Sequence, residues 1–237
     1  MQRYFVKEKI NDYLVLEDSD VHHIKNVMRN KINDKIECVY DETLYICEIE
    51  SLDSTKVKIV EVRDDDNEIK WDVTIAVALV KEQKMDLILQ KITELGISKI
   101  IPVAMDRSIV KLDDKKFEKK KERWEKICKE AAEQSKRNKV PEILDIHTVK
   151  QLEKLEYDYR FICSTKNPKN LVNNYLQSKD ECATMLFVIG PEGGISEREE
   201  DMLISYGYIP ITLGKRIMRV ETAAIYIASI INFCSNS

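Results

Sequence analysis

Two short segments concentrate the residue types that do chemistry. Gly190-Pro191-Glu192-Gly193-Gly194 holds three of the chain's six glycines, and Lys215, Arg216 and Arg219 crowd beside Glu221 in LGKRIMRVETA. A glycine cluster lets the backbone approach a ligand closely and reach positive φ. Phosphate is the obvious ligand for such a loop, but GPEGGIS lacks the G-K-[ST] ending of a P-loop and the spacing of G-x-G-x-x-G, and it adds the negative charge of Glu192. The segment therefore reads either as a tight structural turn or as a ligand wall. The second segment changes that balance. Three cations stand at the head of a predicted helix, where the macrodipole disfavours them, so an anion is expected to meet them. Glu221 beside them is either a helix-start residue or a proton acceptor.

Both segments follow short apolar runs, TMLFVIG and YIPITLG, and precede helical patterns. SEREEDMLISYG opens with Ser196 and carries Glu199 three residues on, a capping box, and ETAAIYIASIINF is an apolar terminal helix. Upstream, DVTIAVALV reads as a strand buried on both faces. KEQKMDLILQKITEL repeats Met85, Ile88, Leu89, Ile92 and Leu95 at helical spacing, Gly96 ends that helix, and ISKIIPVAM is the next strand. KKFEKKKERWEKICKEAAEQSKR is a long helix with Phe117, Trp124, Ile127, Cys128 and Ala131 inward, and RFICS is a further strand. Strands alternating with helices predict an α/β fold with a mostly parallel sheet covered on both faces, whose ligands bind beyond the carboxyl ends of the strands.

The first glycine is Gly96 and the first proline Pro102, and the chain before them has a different character. DKIECVYD, TLYICEIESL and KVKIVEVR alternate apolar and polar residues between polar turns, which means β-strands. One helix is predicted among them, capped near Ser19-Asp20 and carrying Val21, Ile24, Val27 and Met28 on one side. Residues 1–68 are read as a small β-barrel-like domain and residues 69–237 as the α/β domain, joined at Asp64-Asp65-Asp66-Asn67.

A length of 237 residues suffices for one large domain or two modest ones with a real core, which excludes a miniprotein stapled by disulfides or metal. With 43% hydrophobic and 34% charged residues, the chain is neither disordered nor fibrous. The N-terminus MQRYFVKEKINDY interrupts every apolar stretch with charge, and no segment approaches the roughly 18 apolar residues of a membrane span, so a cytoplasmic protein with no membrane partner is expected. Cys38, Cys47, Cys128, Cys163, Cys182 and Cys234 form no C-x-x-C pair and only three histidines accompany them, so no metal is expected and the thiols read as buried and free in a reducing compartment. The net charge of -4 hides an asymmetry. Residues 1–70 carry 11 Lys and Arg against 17 Asp and Glu, while residues 81–140 carry 17 against 11. A basic run is most often a solvated helix face and argues only weakly for nucleic acid by itself.

IGPEGGISEREE followed by TLGKRIMRVETAA resembles the paired C-terminal motifs of the RsmE family of SPOUT methyltransferases, which use S-adenosylmethionine to methylate N3 of a uridine in 16S ribosomal RNA. The resemblance extends over nearly the whole chain. HHIKNVMRNKINDKIECVY is similar to the family's opening, which leads into a PUA-like barrel, and KEQKMDLILQKITELGISKIIPVAMDRSIVK and WEKICKEAAEQSKRNKVPEI are similar to its middle motifs. Met218 departs from the family's usual leucine, and Ser164-Thr165-Lys166 corresponds to none of its motifs.

The resemblance implies a C-terminal trefoil knot, a homodimer, and S-adenosylmethionine held by Ile189, Gly190, Pro191, Glu192, Gly193, Gly194, Leu213, Gly214, Ile217, Met218 and Thr222. A sulfonium donor without phosphate accounts for glycines that lack a P-loop lysine. The imide N3–H of uridine is a weak acid, so Glu221 is the expected proton acceptor, with Arg219 or Arg216 stabilising the uracil anion or binding a flanking phosphate. N3 lies on the Watson–Crick edge, so the target is unpaired or drawn out of its stack. Arg29, Arg107, Gln134 and Arg137 are expected to grip the RNA, as part of 16S rRNA or the 30S subunit; each is otherwise a surface ion-pair partner. His22 and His23 stand near Arg29, with ordinary helix residues as the alternative. Two rival functions are a non-catalytic rRNA-binding assembly factor, against which the intact GPEGG and RIMRVETA segments argue, and a Rossmann-type oxidoreductase or kinase-like enzyme, against which both missing nucleotide fingerprints argue.

Overall fold

The computed structural model describes residues 1–65, 67–112, 114–166, 170–176 and 183–235, so Asp66 and Cys182 lie outside the described residues. The chain divides into two compact units, Met1–Glu68 with Lys129–Lys139, and Ile69–Cys128 with Val140–Ser237.

In the first unit, β1 (Arg3–Phe5), β2 (Glu8–Ile10), β3 (Tyr13–Val15), β4 (Lys35–Tyr40), β5 (Thr43–Glu48) and β6 (Lys56–Arg63) form one sheet in the order β1-β4-β5-β6-β3-β2. Its pairs are antiparallel except β1 with β4. Residues two apart, Ile36 and Cys38 on β4 and Tyr45 and Cys47 on β5, point inward and meet Tyr4, Leu14 and Val57 in one core, as the alternation predicts.

The helix departs from its prediction. α1 (Asp18–His22) starts after Glu17, which gives no side-chain cap, and His23–Val27 then widen into a π-helical turn closed by the Met28 N–H on the His23 carbonyl at 2.9 Å. The wider turn shifts the helical phase, so Ile24 stays buried while Val27 and Met28 are 59% and 45% exposed.

The acidic excess of residues 1–70 meets its counter-charge within this unit. Lys129 lies 3.3 Å from both Glu17 and Asp20, Lys136 is 3.0 Å from Glu37, and Arg137 is 2.6 Å from Glu68. Asn67 donates to the Lys136 carbonyl at 2.9 Å and Asn138 donates to that of Asp65, so the predicted linker is fastened rather than loose. Arg137 is not an RNA-facing residue: its side chain is 3% exposed and its guanidinium is committed to Glu68.

The second unit holds a seven-stranded sheet, parallel throughout. It comprises β7 (Asp72–Ala78), β8 (Lys99–Ala104), β9 (Glu142–Ile143), β10 (His147–Thr148), β11 (Tyr159–Cys163), β12 (Thr184–Ile189) and β13 (Ile209–Ile211), in the order β10-β8-β7-β12-β11-β13 with β9 also on β8. Alternate residues of the buried strands feed two cores. Val73, Ile75 and Val77 of β7 with Met185, Phe187 and Ile189 of β12 face one side, where α2 (Glu82–Glu94), α3 (Asp114–Gln134) and α6 (Val220–Ser235) cover them. Ala76, Ala78, Leu186 and Val188 face the other, against a 3-10 turn (Val149–Lys154) and α5 (Glu197–Ser205). β9, β10, the 3-10 turn and α4 (Asn173–Leu176) are too short to show a period in sequence.

Cys38, Cys47 and Cys128 are buried and Cys163 and Cys234 partly so, all five as free thiols. Among the described residues no helix is long and apolar enough to cross a membrane.

Replacing Arg137 by Ala removes the guanidinium from Glu68, which keeps the Asn138 and Lys139 N–H groups, and we expect a loss of about 1.5–3 kcal/mol of unfolding free energy, read from urea midpoints. A loss below about 1 kcal/mol would mean the pair is no more than a surface contact.

Candidate functional site

β12, β11 and β13 lie side by side and parallel, so the segments leaving their carboxyl ends emerge together. These segments, 163–166, 189–195 and 212–220, surround a cavity of about 450 Å³.

The glycine segment runs from β12 to the head of α5, where Ser196 accepts from the Glu199 N–H and the Glu199 side chain returns to the Ser196 N–H, the capping box predicted from sequence. The buried Glu199 also accepts the Asp106 N–H at 2.8 Å, tying the segment after β8 to this helix. Asp106 takes hydrogen bonds from Ser196 and Arg198, which hold its carboxyl below the usual range. Arg107 Nη1 donates to the Gly193 carbonyl at 2.9 Å and pins the middle of the glycine segment. At Gly190 close packing demands glycine: a Cβ there would lie 2.5 Å from Ile195 Cγ1 and 3.0 Å from the Ile195 nitrogen. At Gly214 the backbone demands it, since φ is +112° while a Cβ would meet nothing within 4 Å.

The structure brings Ile189, Gly190, Pro191, Glu192, Gly193, Gly194, Leu213, Gly214, Ile217 and Met218 together around the cavity, with Arg216, Arg219 and Arg107. Lys215, Arg216 and Arg219 are exposed, and Ile217 is 86% exposed beside them. Glu221 and Thr222 are not in the lining: Thr222 faces solvent, and Glu221 is 13% exposed with Oε2 3.6 Å from Lys84 Nζ. Arg29 and Gln134 are exposed residues of the first unit, Arg29 with φ +54° after the π-helical turn.

Three participants carry no motif in the sequence. Ser164 Oγ donates to Glu200 Oε1 at 2.6 Å and Lys166 Nζ lies 3.1 Å from Glu200 Oε2, so the segment after β11 joins the wall through a buried carboxylate. That bond raises the Lys166 pKa. The segment matched no family motif, yet its place after a strand was a sufficient signal once β11 is known to neighbour β12 and β13. Lys84, in the first turn of α2, forms an ion pair with Glu192 that raises the lysine's pKa and holds the Glu192 carboxyl below its usual range, with Lys81 and Arg219 adding to the latter effect. In sequence Lys84 is one polar residue on an amphipathic helix, with no signal that marks it.

An RNA methyltransferase domain matches residues 67–232 and an RNA methyltransferase PUA domain matches residues 16–62. The chain is 38% identical to the ribosomal RNA small subunit methyltransferase E of Bacillus subtilis, over 98% of this chain and 96% of that protein. It is 36% identical to the protein of the same name in Mesomycoplasma hyopneumoniae, over 96% of this chain and 97% of that one. A crystal structure of a ribosomal RNA small subunit methyltransferase E from Neisseria gonorrhoeae bound to S-adenosyl methionine superposes with a TM-score of 0.87 at 29% identity, covering 98% of this chain and 97% of that chain.

Introducing a Cβ at Gly190 must displace Ile195 and its backbone. Gly190→Ala is therefore expected to lower the unfolding free energy by about 1–3 kcal/mol and the melting temperature with it, in calorimetry; an unchanged melting temperature would show that the segment yields freely.

Proposed function

The chain belongs to the ribosomal RNA small subunit methyltransferase E family, and from that premise we propose that it transfers a methyl group from S-adenosylmethionine to N3 of a uridine in 16S rRNA. The observation that carries the reading is the convergence of the glycine segment after β12 and the cationic segment after β13 on one cavity. Their chemistry suits this cofactor. The cavity is of ligand size, its glycine wall presents backbone amides and carbonyls, and neither nucleotide-phosphate fingerprint is present in a chain whose proposed donor has no phosphate. When bound, S-adenosylmethionine supplies a methyl carbon activated by positively charged sulfur.

The chain's own part is to hold the uracil and steady its charge. Arg216 and Arg219, exposed at the cavity, offer fixed positive charge where the N3 anion develops, which lowers the cost of releasing the imide proton to solvent. Arg107 joins its fixed hold on Gly193 to a position on the same cavity. Ile189, Gly190, Pro191, Glu192, Gly193, Gly194, Leu213, Gly214, Ile217 and Met218 are assigned to cofactor binding on their place in the lining. Arg29 and Gln134 are assigned to RNA on exposure and on the PUA-domain match of the region around Arg29.

The finer architecture belongs to the same proposal. β13 lies outside β11, yet α6 packs against α2 and β12, so residues 212–220 run back across the ends of β11 and β12; this supports a threaded, trefoil-type C-terminus. α6 exposes Tyr226 and Phe233 and α2 exposes Leu87, apolar surface that supports a homodimer. A substrate within the 30S subunit makes the cytoplasm its place of work.

Ribosomal RNA from a strain lacking this gene should lack 3-methyluridine by nucleoside mass spectrometry, and the purified protein should restore it. Arg216→Ala or Arg219→Ala should lower turnover about 100-fold while S-adenosylmethionine still binds in calorimetric titration. Retained 3-methyluridine would overturn the assignment, and a protein that binds rRNA but no S-adenosylmethionine would favour an assembly factor. RNA affinity should fall steeply with salt, and Arg29→Ala should reduce the slope of log affinity against log salt by about 1; an unaltered slope would remove Arg29 from the phosphate contacts.

A further inference from the structure

Lys84 and Glu221 have no part in the scheme above, although one adjoins the cavity wall and the other opens the helix behind it. Lys84 stands in the first turn of α2, a helix locked into the core by Met85, Ile88 and Leu89. Its ammonium pairs with Glu192 in the glycine segment and lies 3.6 Å from Glu221 Oε2 at the head of α6. That Oε2 is buried and has no hydrogen-bond partner among the described residues. A buried carboxylate oxygen without a hydrogen bond is costly unless a cation offsets it, and the Lys84 ammonium is the cation that does so.

We propose that Lys84 is a positioning residue of the transfer site, a cationic clamp that ties the glycine segment after β12 to the head of α6, and that Glu221 acts through Lys84 rather than on the substrate. The inference rests on the methyltransferase reading and deepens it. Glu192 lines the cavity and Glu221 does not, so the clamp reaches the ligand only on the Glu192 side. The glycine segment is thereby held at neighbouring residues, Gly193 by Arg107 and Glu192 by Lys84. α2 also packs against α6, so one helix sets the position of both segments. Arg219 lines the cavity two residues before Glu221, so the register of α6 also sets where that guanidinium stands. An uncompensated Glu221 would pull against that register, because a buried charge without a partner seeks water.

The test compares Lys84→Met, Lys84→Arg, Glu221→Gln and the Lys84→Met/Glu221→Gln double variant in the full-length protein. In Lys84→Met, amide hydrogen exchange of residues 190–195 and of the first turn of α6 should quicken without any ligand, and the Kd for S-adenosylmethionine should rise about tenfold. Lys84→Arg should recover most of both. In the double variant residues 190–195 should exchange as quickly as in Lys84→Met while the first turn of α6 slows back toward the parent rate, because removing the Glu221 charge ends the pull on α6 but gives Glu192 no new partner. Glu221→Gln should keep the shape of the turnover–pH profile, with Lys84 as the charge facing Glu221 and Glu192 on the far side of that ammonium. Unchanged exchange and unchanged affinity in Lys84→Met would overturn the clamp and leave the methyltransferase reading intact. Loss of the rising limb of the pH profile in Glu221→Gln, with binding preserved, would overturn it by making Glu221 the base. If the unaltered protein bound no S-adenosylmethionine while Lys84→Met still loosened residues 190–195, the cofactor reading would fall and the clamp would stand.

Discussion

The site depends on three parallel strands being neighbours. In a parallel ladder every strand points the same way, so placing β12 beside β11 and β11 beside β13 brings three outgoing segments to one edge. Each segment alone is unremarkable: a glycine turn, a short polar loop, a run of cations. Side by side they enclose a cavity. The adjacency is secured by burial, since Met185, Phe187 and Ile189 serve one core and Leu186 and Val188 the other, so a slip of β12 by one residue would exchange its two faces.

Of the three carboxylates that line the cavity, Glu192 is matched by Lys84 and Glu200 by Lys166, while Glu197 is exposed to solvent. The exposed cations of the segment after β13 have no such internal partners among the ion pairs described above. This is an asymmetry suited to a site that meets an anion: the exposed positive groups stay available while the two carboxylates Glu192 and Glu200 are paired within the walls.

The first unit explains a feature of the sequence that composition left puzzling. An acidic excess over residues 1–70 is awkward for a domain matched to an RNA methyltransferase PUA domain. Residues 129–139 belong to that same unit and bring Lys129, Lys136 and Arg137 against Asp20, Glu37 and Glu68. Part of the basic middle of the chain is thus spent on internal compensation, and Arg137 is the residue whose role this changes most. Segregated charge in a sequence reports where counter-ions will meet as readily as where a polyanion will bind.

Local sequence was enough to determine the elements with a clear period. The doubly buried β7 and β12, the amphipathic α2, the capping box at Ser196 and the alternating β4, β5 and β6 follow from side-chain spacing alone, because each periodicity has one way to bury its apolar face. The two chemically loaded segments were legible too, since glycine clusters and cations at a helix head conflict with ordinary local preferences. The tertiary structure alone decided which strands are neighbours, and so brought Ser164 and Lys166 into the wall; it set Glu221 beside Lys84 and closed Arg137 into an ion pair. These are contacts between residues tens of positions apart, and a side chain's partner across such a separation depends on the packing of whole elements, which no local pattern encodes.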